Sequence, residues 1–215
     1  MRDRVLPFYV VCDESYSMSD HMETLRARLR ELRHCVRNNP AVSEVVRFSL
    51  IGFADVPRLI VPLSSPHDLD DIGALSARAA SNFGAVFTLL RDTIERDVAR
   101  LRRQACLIHR PTVFFLSDGQ PTDPASWRSQ HARLLDPAWP DRPKIVAFGI
   151  GDADAGTIRA VGQFKAFLSD RDGGTTPGDA LQRFADVLTD SMLSGGDVDV
   201  PDQIRGYTAL SAHHC

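Results

Sequence analysis

The sequence has little cysteine and no apolar run long enough to cross a membrane. Its four cysteines are widely separated and form no CxxC pair; they are Cys12, Cys35, Cys106 and Cys215. Such sparse use in a chain of 215 residues indicates a reducing compartment, in which the first three serve as small core residues. The apolar run "VLPFYVVC" meets acidic residues instead of the small-residue cleavage site of a secretory signal. We therefore expect a soluble cytoplasmic protein without membrane contact.

Positive charge is not in excess either. The net charge is −3 and the pI is about 6.1, so the chain as a whole does not attract nucleic acid or an anionic membrane. Two arginine-rich runs, at residues 25–37 and 99–103, are interleaved with leucine at helical spacing. They predict amphipathic helices with a solvated face, and we expect no nucleic-acid partner.

Short β-rich runs alternate with longer helical patterns along the chain. Predicted strands cover residues 6–12, 45–53, 58–63, 111–117, 144–150 and 164–169. The first and fourth of these runs are almost continuously apolar, which is typical of central strands covered on both faces. Only "ADVP" joins the second run to the third, so these two runs predict an antiparallel hairpin at an edge of the sheet.

Helical periodicity separates the strands. Asp20, with Glu23 three residues later, has the spacing of a capping box and predicts the start of the first helix. Further helices are predicted at residues 84–103, within 124–135, around 154–162 and at 178–194. Thr122 and Asp123 precede the third helix, and we interpret them as its turn and cap.

Alternating strands and helices, with two fully buried strands, predict an α/β fold. We expect a doubly wound, mainly parallel sheet with one antiparallel edge strand and helices on both faces. Residues 1–194 are expected to form one domain, because the sequence has no internal repeat, low-complexity segment or linker. The turn-rich, acidic tail at residues 195–215 is expected to be poorly ordered or to wrap the surface.

Polar side chains follow the predicted central strands. Asp13, Ser15 and Ser17 come directly after the first strand, and Asp118 follows the fourth strand in the same way. Ser81 stands at the start of the second long helix. Ligands of an open α/β sheet bind at the carboxyl ends of its strands, so these five side chains can meet in one place.

Two carboxylates and three hydroxyls form an all-oxygen ligand set without His or Cys. Such a set suits the hard cations Mg²⁺, Mn²⁺ or Ca²⁺ and not Zn²⁺. Neutral hydroxyls supply little charge, so a divalent cation bound this way keeps its attraction for an acid from outside. Asp and Ser after a strand are also ordinary turn and cap residues, so the first segment alone supports either interpretation.

Three segments, "FYVVCDESYSM", "SNFGAVF" and "VFFLSDGQPTD", resemble the von Willebrand factor A (VWA) domain and its metal-ion-dependent adhesion site (MIDAS). The resemblance runs from residue 5 to residue 194. It is strongest to the TerY-like bacterial VWA proteins associated with tellurium resistance, which share the "DGxPTD" form. It implies a Rossmann-like VWA fold and a metal site formed by Asp13, Ser15, Ser17, Ser81 and Asp118. In the family the hydroxyls bind the cation directly, the carboxylates bind it directly or through water, and a partner's Glu or Asp takes the remaining position.

Three positions depart from the family pattern. Tyr16 stands where the family usually has Gly, and a bulky residue there is strained if the backbone requires a positive φ. Ser81 replaces the family's Thr and keeps its hydroxyl, while Ala79 and Ala80 replace two glycines. Because all five oxygen side chains remain, we expect an altered but metal-binding site. Tyr16 also places an aromatic side chain where a partner could be anchored.

The resemblance implies a non-enzymatic module that binds an acidic side chain of a partner protein in a bacterial stress or tellurium-resistance system. The partners it implies are phosphatase- or kinase-like components of that system. The alternative is a Mg²⁺-dependent aspartyl-phosphate protein, because such chemistry takes place at an Asp that ends the first strand of a doubly wound fold. Against it, no second Asp follows Asp13 two residues later, and Lys144 begins a strand instead of following one. A scaffold with a degenerate metal site is a further alternative.

Overall fold

The computed structural model describes residues 3–68, 75–76, 78, 80–118, 120–170, 174–196 and 200–210. Over these residues the strands are β1 Arg4–Asp13, β2 Val46–Phe53, β3 Arg58–Ser64, β4 Leu107–Ile108, β5 Thr112–Ser117, β6 Lys144–Gly149, β7 Lys165–Ser169 and β8 Tyr207–Ala209. The helices are α1 Met22–Arg37, α2 Pro40–Ser43, α3 Phe83–Arg103, α4 Trp127–Leu134, α5 Ala155–Val161 and α6 Pro177–Leu193, with a 3-10 helix at Tyr16–His21. Every predicted strand and helix is present, with small differences at the ends. None of the helices in the described part is long and apolar enough to cross a membrane.

The strands form one mixed sheet in the order β3-β2-β1-β5-β6-β7-β8, and β4 pairs with the start of β1. The five strands β2, β1, β5, β6 and β7 run parallel to one another. At one edge β3 pairs antiparallel with β2, as the short connection between them predicts. The expected fold class is confirmed: a doubly wound, mainly parallel α/β sheet with helices on both faces.

The sequence does not predict β8, a second antiparallel strand at the opposite edge. This strand pairs with β7 and comes from the segment 195–215, of which residues 195–196 and 200–210 are described. Tyr207 holds it in place, because its side chain is buried and its hydroxyl donates to the Ala180 carbonyl oxygen in α6 at 3.0 Å. A strand of three residues is too short to show the alternation from which strands are predicted.

The core has one layer on each face of the sheet. Along β1, Phe8, Val10 and Cys12 pack in the layer with α1 and α6, whereas Tyr9 and Val11 pack in the layer with α3 and α4. Alternate side chains of a strand point to opposite faces, so a strand covered on both sides is apolar throughout. This explains why the first and fourth predicted strands are almost continuously hydrophobic.

The predicted cap of α1 is wrong. Asp20 does not cap this helix, because the 3-10 helix begins at Tyr16 and leads directly into α1. The N-cap residue of α1 is His21, and its side chain makes no capping hydrogen bond. Met18 is fully buried and holds the 3-10 turn against the core. The chain is therefore already helical before Asp20 is reached.

The three described cysteines differ in burial, although the sequence predicts all three as core residues. Cys12 is buried in β1, whereas Cys106 is only partly buried and Cys35 is exposed. Cys35 lies on α1 outside the apolar stripe that faces the core, so its prediction as a core residue is wrong. Cys215 lies outside the described residues.

Candidate metal centre

Asp13 is the last residue of β1, and its carboxylate is fully buried at the carboxyl ends of the parallel strands. Its Oδ1 accepts hydrogen bonds from the Ser15 backbone N–H at 2.9 Å and from Ser81 Oγ at 3.2 Å. Its Oδ2 accepts one from Ser117 Oγ at 2.6 Å. These donors are all neutral, so none of them offsets the charge of the carboxylate.

Asp118 follows β5, the strand next to β1, and its carboxylate meets two of the predicted hydroxyls. Asp118 Oδ1 accepts from Ser17 Oγ at 2.9 Å and from Ser15 Oγ at 3.3 Å, and the two hydroxyl oxygens are 3.0 Å apart. These three oxygens form a triangle that we call the oxygen triangle. Asp13 contacts Ser81 Oγ and the Ser15 backbone N–H. Together with the triangle, these contacts link all five residues that the sequence predicts for the site, namely Asp13, Ser15, Ser17, Ser81 and Asp118.

The donor set fits a hard divalent cation. Mg²⁺ binds oxygen at about 2.1 Å in an octahedron, so neighbouring ligand oxygens lie about 3 Å apart. The edges of the oxygen triangle match this spacing. They are also hydrogen-bond distances, and in this structure the two hydroxyls donate to the carboxylate. Over the described ranges, no group of three His, Cys, Asp or Glu side chains could hold a metal ion, so a site here depends on the hydroxyls.

Burial raises the pKa of both carboxyl groups. It raises the pKa of Asp13 to about 6, against hydrogen bonds from Ser117 and Ser15, while the Asp118 charge raises it further. The pKa of Asp118 is also raised by burial, against the serine hydroxyls and the nearby His21. No Lys or Arg of the described residues hydrogen-bonds to either carboxylate. A bound cation would favour the charged form of both groups.

Ser81 reaches the site through an irregular segment that precedes α3. Arg78 forms a parallel bridge with Ser15, so the segment lies beside the end of β1. Ala80 then adopts a left-handed backbone with a φ of 71° and turns the chain towards α3. The Ser81 carbonyl oxygen accepts from the Thr122 N–H at 3.0 Å, which joins this segment to the one that follows β5.

The positive φ falls on Ala80 and not on Tyr16. Tyr16 begins the 3-10 helix and is not among the described residues with positive φ, so its side chain brings no backbone strain. Ala80 stands at a position where the resembling family has glycine, and a left-handed backbone costs a residue with a Cβ about 1 kcal/mol. Ala79, the other alanine of this pair, lies outside the described residues.

The site opens to solvent beside Tyr16 and Ser17. Asp118 is 8% exposed, whereas Tyr16 is 69% exposed. Val56, in the turn between β2 and β3, is 60% exposed. Because β1 and β2 are parallel, Tyr16 and Val56 both lie beyond the carboxyl ends of these strands, where the site also lies.

Ser117 and Asp123 also lie near the site, at the carboxyl ends of the parallel strands, and neither is among the predicted site residues. Ser117 donates to Asp13, and a single hydroxyl at the end of an apolar strand is the signal that could identify it. Asp123 accepts from the N–H groups of Phe83 and Gly84 at 3.0 and 2.8 Å and so caps α3. The sequence predicts that Asp123 caps the helix that follows it, which is α4, and this prediction is wrong. The fold brings its side chain to the start of α3 instead.

Glu14 is as fully buried as Asp13 but has different partners. Its Oε1 accepts from Arg58 Nη2 and from the Ser76 backbone N–H, both at 2.7 Å. Its Oε2 has no hydrogen-bond partner among the described residues. The charge of Glu14 is therefore met within the protein by a guanidinium, in contrast to that of Asp13.

No family model matches the sequence, and no curated protein matches it. Several solved structures share the fold. A von Willebrand factor type A structure from Catenulispora acidiphila has a TM-score of 0.62 at 15% identity, over 88% of this chain and 43% of that one. Proximal thread matrix protein 1 from the mussel byssus, with a zinc-occupied MIDAS motif, has a TM-score of 0.64 at 13% identity, over 89% and 48%. The ArnB paralog VWA2 from Sulfolobus acidocaldarius has a TM-score of 0.54 at 15% identity, over 86% and 45%.

These likenesses concern the fold. At such identities, the shared feature is the mostly parallel sheet with an antiparallel edge and flanking helices, which is the Rossmann-like fold of VWA domains. The chain spans less than half the length of each of the three proteins that it matches. The fold expected from the three sequence segments is therefore present.

Proposed function

We propose that this chain is a non-enzymatic, metal-dependent protein-binding module. In this proposal a divalent cation binds an acidic side chain of a partner protein and is held by Asp13, Ser15, Ser17, Ser81 and Asp118. The observation that carries the proposal is the pair of buried carboxylates, which accept hydrogen bonds from neutral hydroxyls and have no Lys or Arg partner among the described residues. A cation would offset both charges, and neutral hydroxyls would leave it able to attract a further carboxylate.

Magnesium is the cation that we propose, with Mn²⁺ and Ca²⁺ as alternatives. Oxygen-only ligands suit these hard cations, and the edges of the oxygen triangle suit the smallest of them. Zinc occupies the MIDAS motif in one structure of the mussel protein, so Zn²⁺ belongs in the same titrations. A ligand set without His or Cys favours Mg²⁺ over Zn²⁺.

The surface around the proposed cation suits a partner that brings an acidic residue beside an apolar one. Tyr16 and Val56 are exposed at this edge, and aromatic side chains often contribute most of the energy of an interface. We propose Tyr16 as the anchor for the partner. Phosphatase- or kinase-like components of a bacterial stress or tellurium-resistance system are the proposed partners, which the TerY-like form of "DGQPTD" supports.

The metal site can be tested by titrating the purified protein with Mn²⁺ and measuring the bound ion by electron paramagnetic resonance. We expect one bound Mn²⁺ per chain, which Mg²⁺ displaces, and loss of binding in Asp118→Ala and Ser17→Ala. Asp202→Ala is the matched control, because Asp202 is an exposed acid that pairs with Lys165 at the opposite edge of the sheet. A wild-type protein that binds no Mn²⁺ would overturn the proposal and favour a degenerate site.

The class of partner can be tested with an array of short peptides that carry one Glu or Asp beside an aromatic or aliphatic residue. We expect acidic peptides to bind in Mg²⁺, to dissociate in chelator, and to bind more weakly to Tyr16→Ala. The same peptides with Gln or Asn are the controls. Equal binding of acidic and amide peptides would contradict a bridge through the cation.

Aspartyl-phosphate transfer, the alternative, has less support. Asp13 ends the first strand and is buried, as this chemistry requires. Both lysines of the chain, Lys144 and Lys165, are the first residues of β6 and β7. They therefore lie at the amino ends of the parallel strands, whereas Asp13 lies at a carboxyl end. We expect no change in mass after incubation with acetyl phosphate. A gain of one phosphoryl group on Asp13 would favour the alternative.

A further inference from the structure

We infer that the ion pair between buried Glu14 and partly exposed Arg58 positions Ser81 for the proposed cation, although neither residue is among the proposed ligands. This inference rests on the proposed metal site. Glu14 Oε1 accepts from Arg58 Nη2 and from the Ser76 backbone N–H, both at 2.7 Å. These contacts join the end of β1, the start of β3 and the segment before α3. We call Glu14, Arg58 and Ser76 the Glu14 clamp.

The Glu14 clamp fixes the course of the segment that carries Ser81. The Arg78 N–H donates to the Glu14 carbonyl oxygen at 2.6 Å, and Arg78 pairs with Ser15 as in a parallel sheet. Arg78 Nε also donates to Ser76 Oγ at 3.3 Å. The segment is thus held to the end of β1 by backbone and side-chain bonds, only three residues before Ser81.

The backbone next to Ser81 is also constrained. Ala80 has a φ of 71°, and the N–H of Asn82, directly after Ser81, donates to the Ala54 carbonyl oxygen at 2.7 Å. From this backbone Ser81 Oγ reaches Asp13 Oδ1 at 3.2 Å. A ligand from a distant segment binds a cation well only if the segment is held beforehand, because otherwise binding must also order it.

Gly52 in β2 leaves room for the Glu14 side chain of the clamp. A Cβ on Gly52 would lie 2.4 Å from Glu14 Oε2 and 2.8 Å from Ile60 Cδ1. Glu14 Oε2 has no hydrogen-bond partner in the part of the chain that the structure describes, whereas Oε1 accepts from both Arg58 and the Ser76 backbone N–H. Releasing the segment would remove one of the two donors from a buried charge, which opposes its release.

The test compares Mn²⁺ affinity, measured by electron paramagnetic resonance, between wild-type protein and the variants Glu14→Gln and Arg58→Met. Residues that orient metal ligands change affinity by tens of times, and we expect a loss of about tenfold for each variant. Arg58→Lys, which keeps the charge, should retain most of the affinity. Gly52→Ala, which pushes on Glu14 from β2, should weaken binding as Glu14→Gln does. Arg102→Met is the matched control, because it breaks the ion pair with Asp141 at the far end of α3 and should leave the affinity unchanged.

A second measurement separates positioning from a general loss of stability. In metal-free protein, hydrogen exchange of the Ser76 and Arg78 amides should be faster in Arg58→Met than in wild type or Arg102→Met, while exchange in β5 and β6 stays the same. If the wild-type protein binds Mn²⁺ and the folded clamp variants bind it with the same affinity, this inference alone is overturned. A wild-type protein that binds no Mn²⁺ would overturn the proposed function, and the inference with it.

Discussion

Asp13 and Glu14 are consecutive and equally buried acids, but the regions around them meet their charges in opposite ways. Around Glu14, a guanidinium and a backbone amide bind one carboxylate oxygen. Around Asp13, hydroxyls and an amide bind both oxygens, and no basic side chain of the described residues takes part. Consecutive residues of an extended strand point to opposite sides, so a single step along the chain separates the two regions.

Under the proposed function, Glu14 serves the fold and Asp13 serves the bound cation. A buried charge that stabilises a fold is paired within the protein. A buried charge among neutral donors lowers the free energy of unfolding unless a cation from outside offsets it. Such unfavourable arrangements are typical of binding sites. Substitutions around Asp13 and around Glu14 should therefore change stability in opposite directions.

The largest effect is expected from Arg58→Met, which removes the counterion of Glu14. The variant leaves the Glu14 carboxylate buried without a counterion, and we expect the free energy of unfolding to fall by about 4 kcal/mol. Urea unfolding followed by circular dichroism measures the change. The double variant Glu14→Gln with Arg58→Met removes charge and counterion together and should recover part of the loss. Wild-type stability in Arg58→Met would show that Arg58 is not the counterion on which Glu14 depends.

The next effect concerns His131, which extends the comparison to a buried base. His131 on α4 lies near the rings of Phe87 and Trp127, and its Nε2 is 3.1 Å from the Val161 carbonyl oxygen. Burial lowers its pKa from 6.5 to about 4. As the pH falls below 6.5, the unfolded chain takes up the proton first. Stability is therefore present above that pH and is lost as the pH falls towards 4, by about 3 kcal/mol in total.

The contribution of His131 is measured as the slope of the free energy of unfolding against pH over the same range. His131→Gln should flatten this slope, because glutamine does not titrate and its amide can still donate to Val161. His67→Gln removes an exposed histidine and serves as the control. If His131→Gln keeps the wild-type slope, the acid lability comes from other groups, and burial of this base has no part in it.

A smaller effect of the opposite sign is expected from Asp13→Asn in the presence of chelator. The variant removes a charge that burial disfavours, so the free energy of unfolding should rise by about 2 kcal/mol. Glu14→Gln, the same change one residue later, should lower it. Both values come from urea unfolding in EDTA. A loss of stability in both variants would place Asp13 with Glu14 among the acids that serve the fold.

Most strands of the sheet, and the acids that follow the central strands, can be predicted from the sequence because their signals are local. Apolar runs mark β1 and β5, and the parallel order of βα units brings Asp13 and Asp118 to neighbouring strand ends. The partners of the buried acids are not local. Glu14 pairs with Arg58, 44 residues away, and Asp123 caps a helix that starts 40 residues before it.

For this reason the sequence does not distinguish Asp13 from Glu14 by surroundings. Both are acids at the end of the same apolar run, and only the register of β1 against β2 and β3 decides which of them meets the arginine. The same limit applies to backbone strain. The family comparison draws attention to Tyr16, whereas the residue with a positive φ is Ala80, because the conformation of a segment outside the sheet depends on its tertiary bonds.

The smallest effect is expected at Ala80, directly before Ser81. Ala80 and Ala105, which follows α3 at its other end, both have left-handed backbones, with φ of 71° and 60°. Glycine relieves the Cβ strain but adds chain entropy, so Ala80→Gly and Ala105→Gly should each raise the free energy of unfolding by about 1 kcal/mol at most. We expect Mn²⁺ affinity to fall a few-fold in Ala80→Gly alone, because glycine lets the segment before Ser81 leave its binding conformation. Equal affinity in the two variants would mean that the Glu14 clamp holds Ser81 without help from the stiffness of Ala80.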